Sequence, residues 1–312
     1  MSKLKKVTVL MEKYCDLNPS LGTTSAYSNI VGSLISANID HSVFHYDEYL
    51  INTGTPIDGM IIEWLKENKS DLLAVSYYPF HDSRNVNLDT FRRIRDELGI
   101  PVVFIWFDFI HGHIYNLAVN VTSAASLSVV VDTVHVPEER FLSMWVPQDE
   151  RIFSAGNSKE IDVSFVGTTS GYTTRINYIN WLKSRIPLHV SGGQREHKLT
   201  IEQYADILKK SKITLNFPDK PDGSIQAKCR IYETMLSGTL LLEKENNAIQ
   251  NWFAPMEHYI PFTSCEDLLN KIHHYLTNKQ DYERIVSNAM QKMKTDYSSN
   301  NWWTKVFEKV SQ

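Results

Sequence analysis

The sequence has few cysteines and lacks the patterns that mark several common protein classes. Its three cysteines, Cys15, Cys229 and Cys265, are odd in number and widely spaced, which excludes a disulfide-stapled scaffold and the usual zinc spacings. The apolar run 7–11 is too short for a signal-peptide core or a membrane span. A Gly-x-Gly-x-x-Gly fingerprint is missing, which argues against a nicotinamide dehydrogenase. These absences predict a soluble, cytoplasmic protein.

The charge balance is near neutral and gives no reason to expect a polyanion as partner. With 32 basic and 36 acidic residues among 312, the formal net charge is −4, so we expect no nucleic acid to be bound. Hydrophobic residues make up 42% and charged residues 22%, as in ordinary globular proteins. Such a length predicts two domains.

Short apolar runs alternate with helical patterns in both halves of the chain. This alternation is typical of parallel sheets covered on both faces, because central strands then contact no water. It predicts an α/β fold with two Rossmann-like domains, 1–150 and 160–285, joined by a polar segment at 147–159, and ligands bound in the cleft between them. The last segment, 286–312, carries Trp302, Trp303 and Phe307, which we expect to dock a helix back on the N-terminal domain. Saccharide stacking on these aromatic rings is the alternative.

One stretch, 226–243, carries the strongest chemical signal. It reads as a helix followed by a strand, with Lys228 and Arg230 near the helix start, where their charges add to the positive end of the helix dipole. A diphosphate would be held there. Glu233 lies one turn further on, and its carboxylate can accept two ribose hydroxyls. A solvated helix with an i, i+3 Arg–Glu pair is the alternative interpretation.

The same residues resemble a known family. The pattern Lys-x-Arg-Ile-Tyr-Glu-x-x-x-Ser-Gly-x-Leu-Leu-Leu from Lys228, then Trp252-Phe253 and Tyr259-Ile-Pro-Phe262, is similar to the C-terminal half of group 1 glycosyltransferases, in particular their spore-maturation-like branch. Segments 162–168, 189–192 and 204–217 resemble that family in the same order. The resemblance implies the GT-B fold, two Rossmann-like domains facing a cleft. It also implies a hexosyltransferase-type enzyme of glycan biosynthesis.

The resemblance also implies where substrates bind. The residues implied to hold the donor, a UDP- or GDP-linked sugar, are Gly167, Thr168, Arg175, Ser191, Gly192, Lys228, Arg230 and Glu233. Gly22 and Thr23 are implied to face the acceptor, which is a glycan, a lipid or a protein. Peripheral membrane contact is left open for a lipid acceptor. Many relatives carry a second glutamate seven residues before Glu233, and here that position is the uncharged Gln226.

The implied reaction needs positive charge for the leaving diphosphate, and we expect no metal or other cofactor. The Asp-x-Asp triplet of metal-dependent GT-A enzymes does not occur in the sequence, which disfavours that class. If the reaction inverts the anomeric centre, a general base is required, and Asp108 is our first candidate, followed by His111 and His81. Polar caps of strands or helices are the alternative role for all three. A lone His111-x-His113 pair is weak support for a metal site.

Two other functions fit the same pattern. A degenerate transferase would bind a nucleotide sugar without turning it over, and the Gln226 departure favours this alternative. A nucleotide-sugar epimerase would place groups that act on the sugar ring where a transferase has its acceptor pocket.

Overall fold

The computed structural model describes residues 6–77, 85–133, 135–136, 139–192 and 199–312. It divides the chain into two compact units. Unit 1 comprises Met1–Asp149 and Ser299–Gln312, and unit 2 comprises Glu150–Ser298. The first division lies inside the predicted linker. The second lies thirteen residues beyond the predicted start of the tail, at the junction of two helices.

Unit 1 is built on a six-stranded parallel sheet in the order β2-β1-β3-β4-β5-β6. The three strands β3 to β5 are buried along their whole length, which explains their apolar composition. The strands are β1 (Lys6–Met11), β2 (Asp40–His45), β3 (Leu72–Ser76), β4 (Val102–Trp106), β5 (Leu127–Val130) and β6 (Phe141–Ser143). Apolar runs at 6–11, 41–46, 72–78, 101–107 and 127–131 predicted the first five strands, and β6 was missed.

Helices connect the strands from β1 to β5, as parallel neighbours require crossover connections. They are α1 (Ala26–Ser36), α2 (Tyr46–Thr53), α3 (Asp58–Glu67), α4 (Leu88–Glu97) and α5 (Gly112–Val121), with short 3-10 turns at Cys15–Leu17, Pro19–Leu21 and Thr122–Ala124. Neither α2 nor α5 was predicted. Both are short, and α5 begins at Gly112, a poor helix former.

Unit 2 holds a five-stranded parallel sheet in the order β11-β10-β9-β7-β8. Its strands are β7 (Ile161–Val166), β8 (His189–Ser191), β9 (Ser211–Asn216), β10 (Leu240–Lys244) and β11 (Ile260–Phe262). Its helices are α6 (Thr173–Lys183), α7 (Ile201–Lys210), α8 (Cys229–Leu236), α9 (Cys265–Thr277) and α10 (Lys279–Asp296), with a 3-10 turn at Ile249–Asn251. A capping box fixes the start of α7, where Thr200 and Gln203 bind each other's backbone N–H groups.

The last helix, α11 (Ser299–Val310), packs within unit 1 through its aromatic residues. Trp302 and Trp303 are fully buried, and their indole N–H groups donate to the Trp145 carbonyl (2.9 Å) and the Ser33 hydroxyl (3.0 Å). Buried rings with satisfied polar atoms are packing groups, which rules out saccharide stacking on them. In the described part of the chain, every helix is too short or too polar to cross a membrane.

Candidate functional site

In each of the two sheets, the strand order contains one switch point, where ligands of such folds commonly bind. In unit 2 the first strand, β7, lies between β8 and β9, so the chain moves to one side of β7 and then to the other. Ligands of parallel α/β sheets bind at such switch points, beyond the carboxyl ends of the strands. The switch point of unit 2 therefore lies between the residues that follow β7 and those that follow β9. Unit 1 has the equivalent point between β1 and β3.

Glycines let the backbone come close at the carboxyl end of β7. Gly167 has a φ of 149°, and its N–H donates to the Ser191 carbonyl at 2.9 Å. Gly192 has a φ of 79°, and a Cβ there would lie 3.3 Å from the Gly167 nitrogen. A Cβ on Gly167 would overlap the Nη2 atom of Arg230. Both positions thus favour glycine for conformation and for space.

Arg175 spans the switch point of unit 2. Its guanidinium donates from Nη1 to the carbonyl of Thr168, which follows β7, and from Nη2 to the carbonyl of Phe217 at 3.3 Å, which follows β9. The side chain is buried, and the guanidinium carbon lies 3.9 Å from the ring centroid of Tyr172. A pocket of about 100 Å³ opens beside it, lined by 171–175 and 219–221.

A second guanidinium converges on the same place. The guanidinium carbons of Arg175 and Arg230 lie 5.5 and 5.1 Å from the ring centroid of Phe165. Burial, together with the positive charge of Arg230, lowers the pKa of Arg175 to about 10. Two like charges held together in a partly buried position would be stabilised by a bound anion.

Helix α8 adds its positive end to these two cations. Lys228, in an extended conformation, is the N-cap residue, and Arg230 lies in the first turn. The Lys228 ammonium donates to the side-chain oxygen of Gln226 at 2.8 Å, so the residue at the position of the family's second glutamate contacts Lys228 directly. Residues 231–235 of α8 are buried, so the alternative of a solvated helix is not what the chain forms.

Glu233 is buried, and it is oriented by a residue that the sequence did not single out. The Tyr204 hydroxyl donates to its Oε2 atom at 2.6 Å, whereas Arg230 donates to Asn216 Oδ1 at 2.7 Å. Burial raises the pKa of Glu233 to about 7, although the Tyr204 hydrogen bond and the Arg230 charge favour the ionised form.

Two more polar side chains of this region escaped the sequence analysis. Asn216 is the last residue of β9 and Glu243 lies near the end of β10, and the two are paired in register. Both are fully buried and joined by a hydrogen bond of 2.7 Å. The sequence did carry a signal for these two residues, because each is a polar residue at the end of the apolar run of its strand.

The residues predicted to act on the acceptor lie in two separate loops of unit 1. Gly22 and Thr23 are exposed in the loop after β1, which is closed by the pairing of Tyr14 with Thr23. Asp108 and His111 form the turn between β4 and α5, where Asp108 has a φ of 57° and its carbonyl accepts from the His111 N–H at 3.0 Å. The His111 and His113 rings stack with centroids 5.6 Å apart. His81 lies outside the described residues.

Unit 1 also has a buried carboxyl group at its switch point. Glu12 directly follows β1, opposite the end of β3, and accepts a hydrogen bond from the Thr24 hydroxyl at 3.3 Å. Burial raises its pKa to about 7, and the hydroxyls of Ser76 and Thr24 act in the opposite direction. Among the described residues, no group of three or more His, Cys, Asp or Glu side chains is arranged to hold a metal ion.

Comparison with known families decides the class of the protein. A family model described as glycosyl transferase-like matches residues 150–308, which is just over half of the chain and includes every residue predicted above to hold the donor. The chain belongs to this glycosyltransferase family. The match does not resolve the spore-maturation-like branch, which stays a prediction. A sequence search of curated proteins found no match.

Solved structures with the same architecture confirm the GT-B fold. HepE from Anabaena, in complex with UDP and glucose, is 11% identical with a TM-score of 0.63, covering 97% of this chain and 99% of HepE. An α-glucosyltransferase in complex with UDP-glucose and DNA is 9% identical with a TM-score of 0.64, covering 98% and 99%. The T4 phage β-glucosyltransferase is 11% identical with a TM-score of 0.55 and the same coverage. Because one of these proteins binds DNA, the expected absence of a nucleic-acid partner stays a prediction.

Proposed function

We propose that this glycosyltransferase moves a hexose from a UDP- or GDP-linked donor to an acceptor hydroxyl without a metal ion. One observation carries the proposal: Arg175 and Arg230 converge on Phe165 at the switch point of unit 2. The positive end of α8 adds to them. This amount of fixed positive charge suits a diphosphate and stabilises the negative charge that develops on it as the glycosidic bond breaks.

The remaining donor contacts follow from the same geometry. Glu233 Oε2 is held by Tyr204, so we assign Oε1 to the hydroxyls of the ribose. The glycine turns at Gly167 and Gly192, with Thr168 and Ser191, admit the nucleotide close to the backbone. HepE was solved with UDP and glucose, and the α-glucosyltransferase with UDP-glucose. These complexes support a UDP-linked sugar as the first donor to test.

The acceptor is assigned to unit 1. Gly22 and Thr23 would line its site, and a glycan, lipid or protein hydroxyl is the class expected. For an inverting reaction Asp108 would take the proton of that hydroxyl, with His111 and His81 as the other candidates. The proton then passes to the base, the acceptor oxygen bonds to the anomeric carbon, and the electron pair of the broken bond leaves with the nucleoside diphosphate.

A donor panel tests the proposal. Thermal shift with UDP-glucose, UDP-N-acetylglucosamine, UDP-galactose and GDP-mannose identifies the donor, and release of UDP or GDP measures turnover with water, glycerol or free monosaccharides as acceptor. We expect stabilisation by one nucleotide class and slow release. Binding without release on any acceptor favours the non-catalytic alternative, which Gln226 supports because a neutral, buried amide occupies the position of a family carboxylate. Turnover of one nucleotide sugar into its epimer, with no free nucleotide, would identify an epimerase.

A further inference from the structure

A chain of buried hydrogen bonds runs from Arg230 into the core of unit 2. Arg230 Nη1 donates to Asn216 Oδ1 at 2.7 Å, and Asn216 Nδ2 donates to Glu243 Oε2 at 2.7 Å. The other carboxylate oxygen, Glu243 Oε1, accepts from Asn246 Nδ2 at 3.0 Å. Asn246 is fixed in turn, since its Oδ1 accepts the Ala248 N–H at 2.9 Å. We call Asn216, Glu243 and Asn246 the relay.

Stability of the fold does not account for the relay. All three side chains are at most 2% exposed, and the Glu243 carboxyl group directly follows the buried apolar run 240–242 of β10. Burying such a group costs free energy that hydrogen bonds repay only in part, and well-packed apolar residues would serve the sheet equally well. The effect of the relay on Arg230 explains better why these polar groups are buried.

The relay fixes which end of the Asn216 amide faces Arg230. Burial raises the pKa of Glu243 to about 7, and above that pH its carboxylate only accepts hydrogen bonds, so it requires the NH₂ group of Asn216 on its own side. The amide oxygen of Asn216 then points at Arg230, whose guanidinium only donates. Without the carboxylate, the amide could turn over and present its NH₂ group to the guanidinium, which would push Arg230 away.

The other terminal nitrogen of Arg230, Nη2, is confined as well. Nη2 lies where any side chain at residue 167 would begin, so only glycine leaves it room. The centroid of the Phe165 ring lies 5.1 Å from the guanidinium carbon. The guanidinium is therefore held by residues in or directly after β7 and by Asn216 of β9. Asn216 is held in turn by Glu243 of β10. A charged group fixed in this way loses little freedom on binding a ligand.

We propose that Asn216 and Glu243 are positioning residues that hold Arg230 in the orientation that binds the diphosphate of the donor. This inference rests on the proposed function, because it takes a nucleoside diphosphate as the ligand. It goes beyond that function in assigning a role to two side chains that would not touch the substrate. It also gives the end of β10 a part in a site whose other residues lie on or directly after β7, β8 and β9 and on α6, α7 and α8.

The experiment compares a nucleoside diphosphate with its nucleoside. Calorimetry measures the affinity of wild type, Glu243→Gln and Asn216→Ala for UDP and for uridine, with GDP and guanosine in parallel. Glu243→Gln keeps the size of the side chain and loses its acceptor-only character, so it remains informative if Asn216→Ala folds poorly. We expect about a tenfold loss of UDP or GDP affinity in both variants and less than a twofold change for the nucleoside.

Two controls separate positioning from general damage. Asn29→Ala removes an equally buried asparagine of unit 1, which donates to the Pro147 carbonyl at 3.1 Å, and should leave both affinities unchanged. Asn216→Ala in an Arg230→Ala background should add no further loss, because the group that Asn216 positions is then missing. Wild type that binds UDP no better than uridine, and GDP no better than guanosine, refutes the proposed function. If wild type prefers the nucleoside diphosphate and both variants retain this preference in full, the positioning role of Asn216 and Glu243 is refuted and the proposed function is not.

Discussion

Arg230 and Gly167 share one space: the Nη2 atom of the arginine occupies the position where a side chain at residue 167 would begin. We predict that Gly167→Ala displaces the guanidinium and lowers UDP or GDP affinity at least tenfold, because the methyl group overlaps Nη2 and the φ of 149° disfavours alanine. Gly54→Ala is the matched control. Gly54 also has a positive φ, of 70°, but has open space around its Cβ position, so this variant should lose a little stability and no affinity.

Arg230 and Glu233 are expected to be separate determinants of nucleotide binding. Replacing either with alanine should weaken UDP or GDP binding by about 1–3 kcal/mol, as expected for a lost charge-assisted hydrogen bond. Arg185→Ala, an exposed arginine that stacks on Trp181, serves as control in the same calorimetric titration. Unchanged affinity in both site variants would contradict the donor assignment.

Tyr204 is expected to tune the ionisation of Glu233. Its hydrogen bond favours the charged carboxylate of a group whose pKa burial has raised to about 7. Because the ionised form is the better acceptor for ribose hydroxyls, nucleotide affinity should rise between pH 6 and 8. Tyr204→Phe removes the donor, so the midpoint of this rise should move to higher pH. A pH series of UDP titrations measures it, and identical midpoints would count against the pairing.

The buried carboxyl of Glu12 should make the stability of unit 1 depend on pH. Its folded pKa of about 7 exceeds the ordinary value of 4.5, so the folded state binds this proton more tightly than the unfolded state. Its stabilising contribution is complete below about pH 4.5 and is lost as the pH rises through 7. Glu12→Gln remains neutral and can still accept from Thr24. We therefore expect the unfolding temperature of wild type to fall more from pH 5 to pH 8 than that of Glu12→Gln.

A surface carboxylate provides the comparison for that experiment. Glu48→Gln makes the same chemical change in a partly exposed side chain paired with Lys13. Its pH dependence should follow that of wild type. Parallel curves for wild type and Glu12→Gln would show that Glu12 does not titrate in this range.

The indole rings of α11 should stabilise unit 1 without contributing to nucleotide binding. Trp302→Ala removes a fully buried ring and its hydrogen bond to Trp145, and should cost about 3–5 kcal/mol of unfolding free energy. Nucleotide affinity should be unchanged below the unfolding transition, since the donor residues all lie in unit 2. The exposed Glu308→Ala should change neither quantity. Loss of affinity in a folded Trp302→Ala protein would contradict this division of roles.

Much of the architecture could be predicted because it follows from local pattern. Parallel strands buried on both faces require continuous apolar runs, and these were recognisable from β1 to β5 and from β7 to β10. The segments that were missed include β6, β11, which contains Pro261, and α5, which begins with the poor helix former Gly112. Residues 147–149 show a different limit: their composition indicated the start of a linker, yet they are buried, and the Gln148 carbonyl accepts a hydrogen bond from Ser299 of α11, 151 residues away in the sequence.

The sequence by itself determined the two α/β sheets and the order of the proposed donor-site residues along the second one, because both depend on periodicity and on motifs within a few neighbouring residues. Only the tertiary structure decided how those residues work together. Arg175 bridges the ends of β7 and β9, Tyr204 donates a hydrogen bond to Glu233, and Asn216 joins Glu243 to Arg230. Each of these contacts joins residues far apart in the chain, and the burial that makes them consequential arises only when the sheet and its covering helices are packed.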